Sequence, residues 1–362
     1  MVSEIKIKII EVLHNMKIMI HSDNHWAEKS SIINSFGYRY SKRLEQLIKS
    51  INWAFDVAKD RGCKATICCG DFFDKPNLTQ QELTALQEIK WPNDLTNYFL
   101  VGNHESEEID LHYSSTEVLK FNNNIIISEP TTIILDETEI DFLPYIPEFA
   151  KQPILEYFPK EKNNKSKHKI LISHNDISGI SYGPIVSSIG FEKEELAANF
   201  DLVLNGHIHN QGWITNNLLD VGSFSAHNFT NDSFSYRYGI WILDTDSLKI
   251  EFIENPYAFN FYKIEINSKA DLAILNKLSN NAVVSIKCKD ALVSEAKELI
   301  ARLPNIIEHR IVITRDVTNS ETAEDIADLT VDQYVKFAEC CKEKLENNAI
   351  LEEELSEILK LF

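Results

Sequence analysis

No apolar run in this 362-residue chain approaches the ~20 residues that a membrane-spanning helix needs, so no membrane span is expected. The opening segment MVSEIKIKIIEVLHN lacks a small-residue cleavage site and a continuous apolar core, which makes it a poor signal peptide. Cysteines are few and oddly placed: Cys63, Cys68, Cys69, Cys288, Cys340 and Cys341 include no Cys-x-x-Cys spacing. That pattern argues against a zinc ribbon or a disulfide framework and reads as reduced thiols in a cytoplasmic protein. Internal repeats are absent. Basic charge is short, with 36 Lys and Arg against 55 Asp and Glu for a net of −19. A strongly acidic chain is a poor non-specific binder of nucleic acid, because attraction to phosphate supplies most of that affinity. The deficit is uneven, however: residues 317–362 hold twelve acidic and four basic residues, −8 of the −19.

Alternation of short apolar strands with amphipathic helices runs from Lys17 to about Glu254. Lys17–His21, Ala65–Cys69, Tyr98–Val101, Ile170–Ser173 and Leu202–Asn205 are β-type runs that each end where polar residues begin. Between the first two, Leu44, Leu47, Ile48, Ile51, Phe55 and Ala58 recur at helical spacing. This is α/β order, in which functional groups gather in the loops beyond the carboxyl ends of the strands. Residues 1–15 precede the natural beginning at MKIMIHSDNHW and read as an extension or an upstream start. A boundary is expected near Asn255-Pro256. After it, strand and helix patterns alternate through residues 256–316 as a small α+β unit, and residues 317–362 read as an acidic helical tail with an apolar stripe.

Five motifs carry the chemistry: Asp23-Asn24-His25, Gly70-Asp71, Gly102-Asn103-His104-Glu105, Ser173-His174-Asn175 and Gly206-His207-Ile208-His209. Each directly follows an apolar strand, so side chains distant in sequence can converge on one point. All offer oxygen or imidazole donors and no thiolate, a mixture suited to borderline divalent ions such as manganese, iron or zinc. A phosphodiester is anionic and its alkoxide leaves poorly; two ions about 3.5–4 Å apart can activate water and neutralise the developing charge. One bridging carboxylate, further ligands on each ion and one uncoordinated acid is the inventory that this chemistry requires. The i, i+2 spacing of Asp-x-His and His-x-His places two donors on one side of an extended backbone. Any one of these motifs is weak alone; five in this order, all at strand ends, are a specific signal.

The series resembles the signature of the calcineurin-like metallophosphoesterase superfamily. That resemblance implies an αββα sandwich of two mixed sheets in residues 1–255. It implies a first metal held by Asp23, His25 and His209, a second by Asn103, His174 and His207, Asp71 bridging, and His104 as general acid. Within the superfamily, Gly70-Asp71-Phe72-Phe73-Asp74 and Phe142-Leu143-Pro144-Tyr145 look like the SbcD-type DNA recombination and repair nucleases, in particular their bacteriophage members. By that likeness, residues 256–316 would be a DNA-capping domain, and residues 317–362 would bind an SbcC-type coiled-coil ATPase. Two Mn2+ ions, DNA as substrate and a homodimer would complete the assembly. Arg39, Lys42 and Arg43, shortly after Asp-x-His, are candidate DNA contacts. A phosphomonoesterase or protein phosphatase on the same scaffold is the nearest rival. A scaffold with a decayed site is weaker, since no ligand position is missing.

Overall fold

The computed structural model describes residues 8–9, 16–30, 33, 36–106, 111, 113–158, 166–182, 185–231 and 233–314. The expected acidic tail and most of the expected extension lie outside them. The chain divides into two compact units, 1–312 and 313–362.

The first unit is built on two stacked sheets. One has six strands in the order Ile250–Glu254, Gly239–Asp244, Lys17–His21, Cys63–Cys68, Thr96–Leu100 and Asn124–Ile127. Its last four strands are parallel, and Gly239–Asp244 runs antiparallel to Lys17–His21. The other has seven: Lys8–Ile9, Thr131–Leu135, Thr138–Leu143, His168–Ser173, Leu202–Asn205, Leu218–Asp220 and Gly212–Trp213. Strand periodicity decides what faces what. Ile18 and Ile20 join Ile67, Tyr98, Phe142, Ile172 and Leu204 in the core between the sheets. Met19, Cys68 and Phe99 face outward onto helix Lys42–Asp60 through Leu44, Leu47, Ile51 and Phe55. On the far side Leu143, Leu171 and Val203 are covered by Ile154, Phe191, Leu196 and Phe200. The architecture is therefore the expected helix–sheet–sheet–helix α/β sandwich.

Packing rather than capping holds the long helix. Ser41 caps it by accepting from Leu44 N at 3.2 Å, worth about 1 kcal/mol. Each large apolar side chain that it buries contributes roughly 1.5–3 kcal/mol.

A third sheet joins Asn260–Ile266, Ala282–Lys289 and Ile306–Thr314 and has its own core around Ile264, Leu275, Val284 and Ile286. Where a helix from Lys269 is expected, the backbone forms a 3-10 segment, Lys269–Lys277, started by a Ser268–Asp271 capping box. Phe261 and Val283 from this sheet pack with Ala226 and Tyr238, which ties it to the sandwich. Cys68 and Cys69 are buried and free, packing as apolar residues, and burial pushes both thiols well above the ordinary range.

Candidate metal centre

The loops after Lys17–His21, Cys63–Cys68, Thr96–Leu100, His168–Ser173 and Leu202–Asn205 meet at one end of the sandwich. Their backbones are not simply extended, as the i, i+2 spacing suggested. Among the described residues eight non-glycines have positive φ, and Asp23 (51°), His25 (45°), Asp71 (50°) and His207 (72°) are four of them. Left-handed backbone costs an ordinary residue about 1–2 kcal/mol, so strain is concentrated where the donors converge. Cross-loop bonds hold it in place: Asp23 N donates to Gly70 O (3.1 Å) and His25 N to Asp71 O (3.0 Å). Gly70 itself sits at φ +102°, and a Cβ there would collide with the His174 ring. Only glycine satisfies both demands.

Two donor groups result. In the first, His25 Nε2 lies 3.0 Å from His209 Nε2, and Asp23 Oδ1 lies 3.9 Å and 3.6 Å from them. In the second, Asn103 Oδ1 lies 3.2 Å from His174 Nε2 and 2.9 Å from His207 Nδ1, with Asp71 Oδ2 3.1 Å from His174 Nε2. Asp71 groups with His25 and His104 on one side and with His174 and His207 on the other, the position a bridging carboxylate requires.

The chemistry of these atoms fits divalent cations. His25 Nδ1 donates to Asp74 Oδ1 (2.9 Å), His174 Nδ1 to Cys69 O (2.6 Å) and His207 Nε2 to Asp176 Oδ1 (3.2 Å). Each imidazole thereby turns its other nitrogen toward the centre, the orientation typical of metal-binding histidines, with the proton on His174 Nε2 to be displaced by an incoming cation. Asp23 Oδ1 is buried with no hydrogen-bond partner. Lone pairs facing one another beside an orphaned carboxylate oxygen form a cradle for a cation.

Electrostatics follow from burial and from the Asp71–His174 pair. Burial pushes the Asp71 carboxyl up, but His174, with His25 and His104 behind it, holds it well below the usual carboxylate range. Burial pulls His174 down, yet Asp71 lifts it to about 9. Burial drives His25 well below its ordinary value, helped by His209. Glu105 is fully buried, and burial together with the Asp71 charge raises it to about 8, against the bonds that it accepts from Gly102 N (2.7 Å) and Phe73 N (3.0 Å). His104 donates its backbone N–H to Asp71 Oδ1 and its Nδ1–H to Asp74 O, both at 3.0 Å. Its side chain is 41% exposed, unlike the ligand-type histidines around it.

One expected contact is corrected. Arg43 is fully buried: Nη2 donates to His25 O (3.1 Å) and His227 Nδ1 (3.2 Å), and burial lowers its pKa to about 10. It braces the centre from within and presents nothing to a phosphate backbone. Arg39 and Lys42 do reach the surface, where they pair with Glu88 (2.5 Å) and Glu308 (3.4 Å). His227, by contrast, carries no motif in the sequence. Its ring stacks on His25 at 4.5 Å, and its Nε2 lies 3.4 Å from Asp74 Oδ1. Asp176, directly after Ser173-His174-Asn175, likewise stands outside the motifs, yet its Oδ1 accepts from His207 Nε2.

Residues 16–211 match the calcineurin-like phosphoesterase family. The chain is 25% identical over 297 residues to exonuclease subunit 1 of Enterobacteria phage T4, spanning 78% of this chain and 82% of that protein. It is 26% identical over 136 residues to putative phosphoesterase 078R of Invertebrate iridescent virus 3, spanning 36% and 38%. Among solved structures, a dimetal phosphatase from Danio rerio aligns with TM-score 0.36 at 11% identity, over 64% of this chain and 93% of that one. The calcineurin-like phosphoesterase YfkN from Bacillus subtilis aligns with TM-score 0.35 at 12% identity, over 67% and 89%.

Proposed function

The chain belongs to the calcineurin-like phosphoesterase family, and on that premise we propose that it is a DNA nuclease working with two divalent ions, most suitably Mn2+. The observation that carries the reading is the convergence of Asp23, His25 and His209 on one side of Asp71 and of Asn103, His174 and His207 on the other. Similarity over most of the chain to a phage protein named an exonuclease subunit favours DNA over a phosphomonoester.

Two ions held by these residues would supply charge neutralisation at the phosphoryl group and activation of the attacking water. The protein's own part is orientation and proton transfer. Asp74, Cys69 O and Asp176 fix the ring orientations of His25, His174 and His207. His104 commits Nδ1 to Asp74 O, which leaves Nε2 as the atom to deliver a proton to the departing oxygen. Arg39 and Lys42 are retained as DNA contacts. The word "subunit" in the phage relative's name supports a partner, read here as an SbcC-type coiled-coil ATPase gripped by residues 317–362, with the chain acting as a cytoplasmic homodimer. Residues 256–316 serve as the DNA-capping unit.

Assay of the Mn2+-loaded chain on end-labelled single- and double-stranded DNA, with p-nitrophenyl phosphate in parallel, tests the substrate class. DNA strands are expected to be cut and the monoester to turn over slowly. Brisk monoester turnover without DNA cleavage would move the chain to the phosphatase branch.

A further inference from the structure

Beside the second donor group the surface opens into a groove of about 860 Å3, with His207, His209, Asn210, Gln211, Trp213 and Tyr236 among its lining residues. That volume lies within the ~300–1,000 Å3 of clefts that hold small organic ligands, enough for a nucleobase and its sugar. Trp213 belongs to the two-residue edge strand Gly212–Trp213, opposite Leu219. Of the chain's five tryptophans it is the most exposed, at 50%, while Trp26 and Trp241 are buried and Trp53 and Trp91 partly so. A large aromatic ring left in water at the rim of a metal centre is a stacking surface without a partner.

The walls suit an anionic strand with free base edges. Asn210 Oδ1 is a buried acceptor with no hydrogen-bond partner. Lys193 brings a cation to the wall, its Nζ donating to Gly179 O at 3.2 Å with Glu194 Oε1 3.9 Å away. Asp220 also lines the groove, largely buried and hydrogen-bonded to Asn205 Nδ2 at 3.3 Å, and burial pushes its carboxyl well above the ordinary range.

We propose that the groove seats unpaired nucleotides of a single DNA strand, with the Trp213 ring stacking on a base while the neighbouring phosphodiester lies at His207 and His209. Bases in a duplex already have both faces covered, so the contact selects unpaired DNA. The inference rests on the nuclease reading and names where that enzyme holds its substrate.

Stopped-flow anisotropy of fluorescein-labelled oligo(dT), and of a duplex of equal length, measures it on the full-length Mn2+-loaded chain, with wild type, Trp213→Ala and Trp213→Phe. Base–aromatic stacking is worth about 1–3 kcal/mol, so Trp213→Ala should weaken oligo(dT) binding roughly 5- to 150-fold. Trp213→Phe should recover most of that loss, and duplex affinity should shift less than twofold. Equal oligo(dT) affinity in wild type and Trp213→Ala, or an equal loss for the duplex, would overturn the groove. Cleavage is scored in the same mixtures: a Trp213-dependent binder that cuts no DNA keeps the groove and removes the nuclease reading. A chain that cuts DNA with no Trp213 dependence in binding does the reverse, and one that neither binds nor cuts removes both.

Discussion

Asp74 Oδ1 takes a hydrogen bond from His25 Nδ1 at 2.9 Å while His227 Nε2 approaches it at 3.4 Å, and Arg43 closes the chain by donating to His227 Nδ1 at 3.2 Å. Burial, with His25 and the Arg43 cation close by, pushes His227 down to about 2, so it stays neutral and can accept from Arg43 while donating to Asp74. Groups one shell behind a ligand typically change metal affinity 10–100-fold. His227→Ala should therefore weaken one Mn2+ site by roughly that factor in a calorimetric titration and leave the other within about threefold. Unchanged affinity at both sites would mean that His227 is only packed there. Little of this chain can be read from the sequence. His227 follows Ser-Ala rather than a strand end, and Arg43 sits in the first turn of an amphipathic helix, where a charge normally points to water. What turns it inward is the pocket formed by His25 O, His227 and the Phe259 ring, 5.8 Å from the guanidinium, all distant in sequence. The seven proposed ligands are readable because each lies in a loop that follows an apolar strand; the left-handed turns that aim Asp23, His25, Asp71 and His207 are not, since the enrichment of Asp and His at positive φ is too weak to mark a single position.

Strands Thr138–Leu143 and His168–Ser173 run parallel at the centre of the seven-stranded sheet and bury a lysine between two carboxylates. Lys169 Nζ lies 3.4 Å from Glu139 Oε1 and 3.3 Å from Asp141 Oδ2. One cation faces two acids, and burial, with Glu139 adding to it, raises Asp141 to about 6 despite the Thr132 bond and Lys169. A carboxyl whose pKa is raised on folding favours the folded state fully below its unfolded value near 3.8, and that favour is lost as pH rises through about 6. At about 1.4 kcal/mol per unit the loss approaches 3 kcal/mol. Asp141→Asn should thus stabilise the chain by about 1–3 kcal/mol in urea melts at pH 8, with the gain gone by pH 4. A gain of the same size at both pH values would rule out ionisation as its source. The runs Ile170–Ser173 and Leu202–Asn205 locate two strands of this sheet within two residues, whereas its short strands Gly212–Trp213 and Leu218–Asp220 carry no such run. In the hairpin of Gly239–Asp244 and Ile250–Glu254 the outer strand is half-exposed and mixes Ile and Phe with Glu, which weakens its sequence signal. The 3-10 segment Lys269–Lys277 has helical spacing in sequence, and spacing alone does not separate a 3-10 from an α-helical path over nine residues.

Over the whole molecule, a net charge of −19 sits on a chain proposed to cut an anionic polymer. The metal-ready centre answers part of this, since bound divalent ions reverse the sign of charge where the phosphate must sit. The remainder falls to the proposed partner, and deletion from Glu321 onward should abolish co-purification with a coiled-coil ATPase of the proposed type while preserving turnover of a chromogenic phosphodiester. A truncated chain that still pulls down the ATPase would end that assignment. The central claim, that this centre hydrolyses DNA with two ions and His104 as the acid, is tested most directly by one comparison. Cleavage of end-labelled DNA is followed for wild type and His104→Ser at matched, measured Mn2+ content. Two ions in each protein, with cleavage reduced about 10²- to 10⁴-fold in His104→Ser, is the expected result. Undiminished cleavage by His104→Ser, or a wild type that cuts DNA with fewer than two ions bound, would contradict the proposed chemistry.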